Sequence, residues 1–246
     1  MEKQSLDVTK VKEYLLSQIK GSGWDDAFFF FLNSEDLERI LIQLRDDIEN
    51  TGISLTPKLK YVFRPFSECP LRTVKVVIFY PEPPPFMDKS DGLALSCSSS
   101  KDSNKVLKLI QSEISATVYP DKPYEVKHNL DVWAHQGVLL LNLTPTTRIL
   151  ERFKHVEIWR PFTQMVVDTL VRKCSDAVFV IIGDGCNKFM REVSGRRDNN
   201  IVWIQTTDPF STTISVGGKK PRWDSGNLFN RVNEELAKKG KTPITW

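Results

Sequence analysis

DVWAHQGVLLLN, residues Asp131–Asn142, decides how the rest of the chain is read. Val138 to Leu141 is a continuous apolar run, the pattern of a strand buried on both faces of a parallel sheet. The residues before it, His135 among them, read as a helix end. A helix therefore feeds a buried strand, and the strand ends on a polar side chain, Asn142.

The same alternation extends outward. Val74 to Phe79 is an apolar, β-branched run, and Ala177 to Ile182 and Ile201 to Gln205 are two further strands. Val11, Leu15, Leu16 and Ile19 recur at helical spacing until Gly21-Ser22-Gly23 ends the run. Asn33 or Ser34 caps a second helix, with Leu37, Ile40, Leu41 and Leu44 on one face. Val106 to Ile114, Pro161 to Val171 and Leu228 to Lys239 read as helices, and Leu55 to Phe66 as an irregular approach. Strands alternating with helices predict an α/β fold: a central parallel four-stranded sheet flanked by helices. Function in such a sheet gathers at the carboxyl ends of the strands. The loops to watch are Tyr80 to Asp91, Asn142 to Arg148, Gly183 to Lys188 and Thr206 to Arg222.

A chain of 246 residues is expected to form a single domain over 1–246, with 1–23 as a helical N-terminal extension. A net charge of +3 is too small to argue for nucleic acid by itself. Four cysteines without CxxC spacing argue against zinc and for a reduced, nuclear or cytoplasmic compartment. The opening MEKQSLDVTK is polar rather than an apolar leader, and Ala27 to Leu32 is too short to span a bilayer. No metal, cofactor or membrane is expected.

Several quoted stretches resemble the uracil-DNA glycosylases. Thr73 to Ile78 is similar to the strand leading into that family's catalytic loop, and Gly92-Leu93 to the Gly-Leu after it. Trp133, Gln136 to Asn142, Thr147 and Arg148 are similar to the uracil-binding strand and its sequel. Trp159, Phe162 and Thr163 resemble the helix that follows; Gly183 and Lys188 fall where the family has its Gly-Ser loop. Gln205-Thr206 resembles the approach to the catalytic histidine, and Gly240-Lys241 with Pro243, Ile244 and Trp246 the family's ending. The resemblance runs from about Trp24 to Trp246 and implies the uracil-DNA glycosylase fold.

It also implies a site, and there the chain departs. Excision breaks an N-glycosidic bond in a nucleotide extruded from the stack. It calls for a carboxylate near the sugar, a donor to the uracil oxygen that gains charge, an aromatic stack and polar contacts to the base edge. The family's water-activating motif, Gly-Gln-Asp-Pro-Tyr-His, is mostly missing from VVIFYPEPPPFMDKSDGLALS, Val76 to Ser96. Glu82 falls at the catalytic aspartate; it is a weakened base or, on the surface preference of charged side chains, a solvated loop residue, and the second is expected. Pro81 replaces a glutamine whose amide helps hold the uracil oxygen, and proline has no N–H. Pro84 replaces the tyrosine that walls the pocket, and Leu95 the stacking phenylalanine. Asp208 replaces the histidine donor, and a carboxylate has no proton to give. Asn142 keeps the uracil-reading asparagine; with its partners gone, a local bond to nearby backbone is expected of it. His128, His135 and His155 are expected to be structural or exposed.

DNA contacts look eroded as well. Asp184 follows Gly183 where the family has a serine, Phe210 replaces another, and the serine-rich tract Ser96 to Ser103 stands in for a proline-rich loop. Ile214 resembles the residue that wedges into the duplex, beside the basic Lys219, Lys220 and Arg222 and the pair Arg196-Arg197. The expectation is therefore a catalytically inactive member of the family with no catalytic residue. It would serve as an interaction module for an unidentified protein partner in a DNA-handling complex of replication or repair, nuclear or viral. Two other readings stay open: a weak, non-specific DNA binder, and a uracil-DNA glycosylase with altered catalytic residues.

Overall fold

Five-residue runs of large apolar side chains build the sheet. A computed structural model describes residues 7–50, 52–97, 105–193, 201–209, 223 and 225–246. In chain order the helices are α1 (Val8–Ile19), α2 (Trp24–Ala27), α3 (Phe29–Leu32), α4 (Glu35–Asn50), α5 (Arg64–Glu68), α6 (Lys105–Thr117), α7 (Asp131–His135), α8 (Val156–Lys173), α9 (Asp184–Val193) and α10 (Leu228–Lys238). The strands are β1 (Leu55–Thr56), β2 (Val76–Tyr80), β3 (Val138–Asn142), β4 (Thr147–Arg148), β5 (Val178–Ile182) and β6 (Val202–Thr206). The main sheet has the order β3-β2-β5-β6 and all its pairs are parallel. Every residue of β2, β3 and β5 is buried, whereas edge strand β6 is mostly half-buried.

Period-two alternation sorts these side chains into two cores. Val77, Phe79, Leu139, Leu141, Phe179 and Ile181 face one core with residues of α1, α4, α5 and α8. Val76, Ile78, Tyr80, Val138, Leu140, Val180 and Ile182 face the other with α6, α7 and α10. Burying each such aliphatic or aromatic side chain contributes about 1.5–3 kcal/mol, so both faces need their helices.

The structure departs from the expected elements in three places. The helix expected from Pro161 begins at Val156 and carries Pro161 inside it. The Gly183 to Lys188 loop is largely helix: Gly183 takes φ 97° and α9 starts at the next residue. In the expected irregular approach, Leu55 and Thr56 pair antiparallel with Arg148 and Thr147, and α5 follows. Ser34, rather than Asn33, serves the start of α4, its Oγ accepting the Asp36 N–H at 3.2 Å. Gly92 explains its own retention: at φ 98°, a Cβ would lie 2.1 Å from the Tyr61 carbonyl oxygen.

Among the described residues no helix is long and apolar enough to cross a membrane, and no group of three or more His, Cys, Asp or Glu is placed to hold a metal. Cys69, Cys97, Cys174 and Cys186 are buried, and none is in a disulfide among the described residues. Ile214, Lys219, Lys220 and Arg222, with Phe210, Arg196, Arg197 and most of the Ser96 to Ser103 tract, lie outside the described residues.

Candidate active site at the carboxyl end of the sheet

Two loops meet above the sheet, one after β2 and one joining β3 to α8. The second is organised by a buried polar chain. Arg148 donates to both oxygens of Asp47, at 3.0 and 2.6 Å. Asp47 also holds His155 Nε2 at 2.7 Å, His155 Nδ1 lies 2.8 Å from Thr146 Oγ1, and Trp159 Nε1 donates to that hydroxyl at 2.7 Å. Burial pushes the His155 pKa down, against the pull of Asp47. The imidazole is thus neutral, donating from Nε2 and accepting at Nδ1. Burial pushes the Asp47 carboxyl up, but Arg148 and His155 outweigh it and hold it below the usual range. A fully partnered buried network of this kind fixes one geometry.

That geometry delivers Arg152 and Phe153 to Glu82. Arg152 Nε donates to Glu82 Oε1 at 2.8 Å, and the Phe153 backbone N–H donates to Oε2 at 2.7 Å. Glu82 is 2% exposed. The expectation of a solvated loop residue is therefore corrected: a carboxylate is rarely buried unless paired, and here both oxygens are occupied.

The first loop is pinned at its far end by Arg64. Its guanidinium pairs with Asp91, Asp131 and Glu68. Asp91 accepts the Leu93 N–H at 3.2 Å and the Ser96 hydroxyl at 2.8 Å. Burial raises the Asp91 pKa in spite of these partners. The segment so held lays Leu95, at φ 69°, into the core against the β2 and β3 side chains.

Tyr80 and Asn142 end β2 and β3 in the same register, so their side chains leave the same face of the sheet. Asn142 is 8% exposed, and its Oδ1 has no hydrogen-bond partner. The expected local bond to backbone is thus not made by that oxygen, because the Leu143 and Thr144 N–H groups are taken by the Tyr80 and Pro81 carbonyls at 2.8 and 3.0 Å. Burial, followed by the charge of Asp208, pushes the Tyr80 hydroxyl far above the ordinary phenol range. Asp208 and Pro81 converge on Gly183: a Cβ there would lie 3.6 Å from Asp208 Oδ2 and 3.7 Å from Pro81 Cγ. Pro84 is half-buried, its carbonyl accepting the Phe86 N–H at 2.8 Å.

The structure thus brings Pro81, Glu82, Pro84, Leu95, Asn142 and Asp208 to one end of the sheet. His135 is apart and exposed, paired with Glu68 at 2.8 Å. Sequence reasoning missed Tyr80 and Arg152. The signal for Tyr80 was available, since it stands at the glycine of the Gly-Gln-Asp-Pro-Tyr-His motif. Nothing local marked Arg152, 70 positions from its carboxylate.

No family model matches the chain. Curated relatives do. The uracil-DNA glycosylase of Phocaeicola vulgatus is 29% identical over 198 residues, covering 78% of this chain and 84% of that protein. That of Streptococcus thermophilus is 29% identical over 205 residues, covering 83% and 88%. The crystal structure of mimivirus uracil-DNA glycosylase superposes with a TM-score of 0.79 at 22% identity, over 97% of this chain and 91% of that one. These likenesses are to enzymes. They overturn the expectation of a protein that is not an enzyme, which had rested on the replacements at Glu82, Pro84, Leu95 and Asp208.

Proposed function

The chain belongs to the uracil-DNA glycosylase family, and from that premise we propose that it is a DNA-repair glycosylase that excises uracil with an altered set of catalytic groups. The observation that carries this reading is the Glu82 carboxylate, kept buried and held at both oxygens at the carboxyl end of the sheet.

As the N-glycosidic bond breaks, positive charge grows on the sugar and negative charge on the base. Glu82 supplies the fixed negative charge for the sugar, prepositioned by Arg152 and the Phe153 N–H. Asn142 reads the base edge through an amide whose oxygen has no competing partner. Asp208 cannot donate to the uracil oxygen as the family's histidine does. Tyr80 takes that part. It stands beside Asn142, and burial with the Asp208 charge keeps its proton on. A neutral hydroxyl in a dry site is an effective donor to a developing oxyanion. Leu95 gives the base an apolar contact in place of an aromatic one.

The test is release of uracil from a single-stranded oligonucleotide by the full chain, beside Glu82→Gln and Tyr80→Phe. Release by the wild type and loss in both variants is the expected result. No release by the wild type would sink the reading.

A further inference from the structure

The helices that precede β1 leave an aromatic face in water. α3 is the run Phe29–Leu32, preceded by Phe28. Phe28, Phe31 and Leu32 are buried, because residues three and four apart share one side of a helix. The two residues between them face outward: Phe29 is 57% exposed and Phe30 87%, with their rings edge to face at 5.6 Å. An outward pair of rings adds nothing to the core, and helix propensity does not ask for phenylalanine there. Such a pair marks a contact surface.

The rings stand beside a groove of about 390 Å³ between α1 and α3. Leu16, Phe29 and Leu32 give it apolar walls, and Glu13, Ser17 and Lys20 run along its α1 side. The walls are fixed in place. Asp25 accepts the Gly21 N–H at 2.7 Å and the Gly23 N–H at 3.1 Å, which sets the turn from α1 into α2. Asn33 Nδ2 donates to the Phe29 carbonyl at 2.8 Å at the end of α3, and both α1 and α3 pack on α4.

Charge says what covers the groove. On α1, Lys10 is paired with Asp7, but Glu13 and Lys20 have no ion-pair partner among the described residues. They share one face of the helix and lie two turns apart, about 10 Å, with Leu16 and Ser17 midway between them. A helix with opposite charges at equal distances from a centre is complementary to its own reverse. When α1 lies antiparallel to a copy of itself, with a two-fold axis beside Leu16 and Ser17, Glu13 of each copy faces Lys20 of the other. A partner surface of one sign would match one of these charges and oppose the other, whereas a second copy matches both. The same axis sets α3 against α3, so that Phe29 and Phe30 of the two copies close over the facing grooves.

We propose that this face joins two copies of the chain into a two-fold dimer, with α1 antiparallel to α1 and the exposed rings of α3 at its apolar centre. The dimer does not rest on the glycosylase reading, since none of the residues that form it belongs to the site around Glu82. Two short helices make a modest interface, so association is expected at micromolar concentrations.

The experiment is sedimentation equilibrium of the full chain from about 1 to 200 micromolar. It compares the wild type with Phe29→Ser/Phe30→Ser, Glu13→Lys, Lys20→Glu and the exchanged pair Glu13→Lys/Lys20→Glu. The wild type is expected to pass from monomer to dimer, and the variant without the rings to stay monomeric, since buried aromatic anchors carry most of an interface. Each single charge variant sets like charges at both ends of the contact and is expected to weaken the dimer about tenfold or more. The exchanged pair restores attraction at both ends and is expected to recover the wild-type association. Melting temperatures taken at the lowest concentration, and expected to be unchanged for exposed side chains, separate these losses from misfolding. The charge variants keep the test decisive should loss of the rings disturb α3. A wild type that stays monomeric throughout overturns the proposal and leaves the groove to a partner of other chemistry. A dimer that survives without the rings overturns it, as do single charge variants that associate like the wild type and an exchanged pair that fails to recover.

Discussion

Arg152 donates its Nε to Glu82 Oε1 at 2.8 Å, joining two loops 70 positions apart in sequence. The guanidinium is more than half exposed, while the carboxylate is almost fully buried. The pair therefore matters to Glu82 more than to Arg152. Arg152→Met is expected to destabilise the fold by about 1–3 kcal/mol, the cost of an unmatched buried charged group. Urea unfolding measures it; an unchanged midpoint and slope would show that the Phe153 N–H holds Glu82 without help.

Tyr80→Phe removes one oxygen and keeps the ring that fills the core beside Asn142. Its effect belongs to kcat. Loss of one donor aimed at a developing oxyanion costs about a hundred- to a thousandfold in rate. The melting temperature is expected to stay near that of the wild type. A variant with full kcat would remove Tyr80 from the chemistry.

Asp208 is one of the two leading causes of the raised Tyr80 pKa, after burial. Asp208→Asn is expected to bring the phenol down, while burial keeps it above the ordinary value of 10.0. The difference in phenolate absorbance between each protein and its Tyr80→Phe counterpart reads this directly. By the same logic, wild-type excision should not decline near pH 10, where an unperturbed phenol is half ionised.

The sheet was legible because β2, β3 and β5 are unbroken apolar runs, and a strand buried on both faces leaves no other pattern. Glu82, Asn142 and Asp208 were legible as positions, through the motifs around them. Their environments were not. Glu82 looked like a surface charge because its partners, Arg152 and the Phe153 N–H, come from a loop positioned by Asp47, His155 and Thr146. That chain of contacts is tertiary, and no local periodicity reports it. The replaced residues argued for lost chemistry one position at a time. Tyr80 beside Asn142 is a property of strand register, visible only once β2 and β3 are paired.

The Asp47 network gives stability a pH dependence whose sign can be worked out. His155 is depressed from its ordinary 6.5, chiefly by burial. Asp47 is depressed from 3.8, because Arg148 and His155 outweigh burial. For both groups the unfolded chain binds protons at a higher pH than the folded one, so their contributions are present above those ordinary values and are lost as pH falls. Asp91, raised by burial, acts in the opposite sense, its contribution present below 3.8 and lost as pH rises through its raised folded value. Between pH 7 and about 5 lies the ordinary value of His155, where the unfolded chain takes up a proton that the folded one refuses. Wild-type stability from urea unfolding is therefore expected to fall as pH drops through this window. His155→Gln has no imidazole to titrate, so its stability, lower at neutral pH, is expected to flatten there. Asp47→Asn is expected to be strongly destabilised at pH 7, by about 3–5 kcal/mol, because it leaves the Arg148 side of a largely buried pair uncompensated. Its deficit should narrow as pH falls below 3.8 toward the lowered value at which the folded wild-type carboxylate is itself protonated. Wild-type stability that rises as pH falls from 7 to about 5 would mean that His155 is charged in the folded protein and that Asp47, not burial, sets its titration.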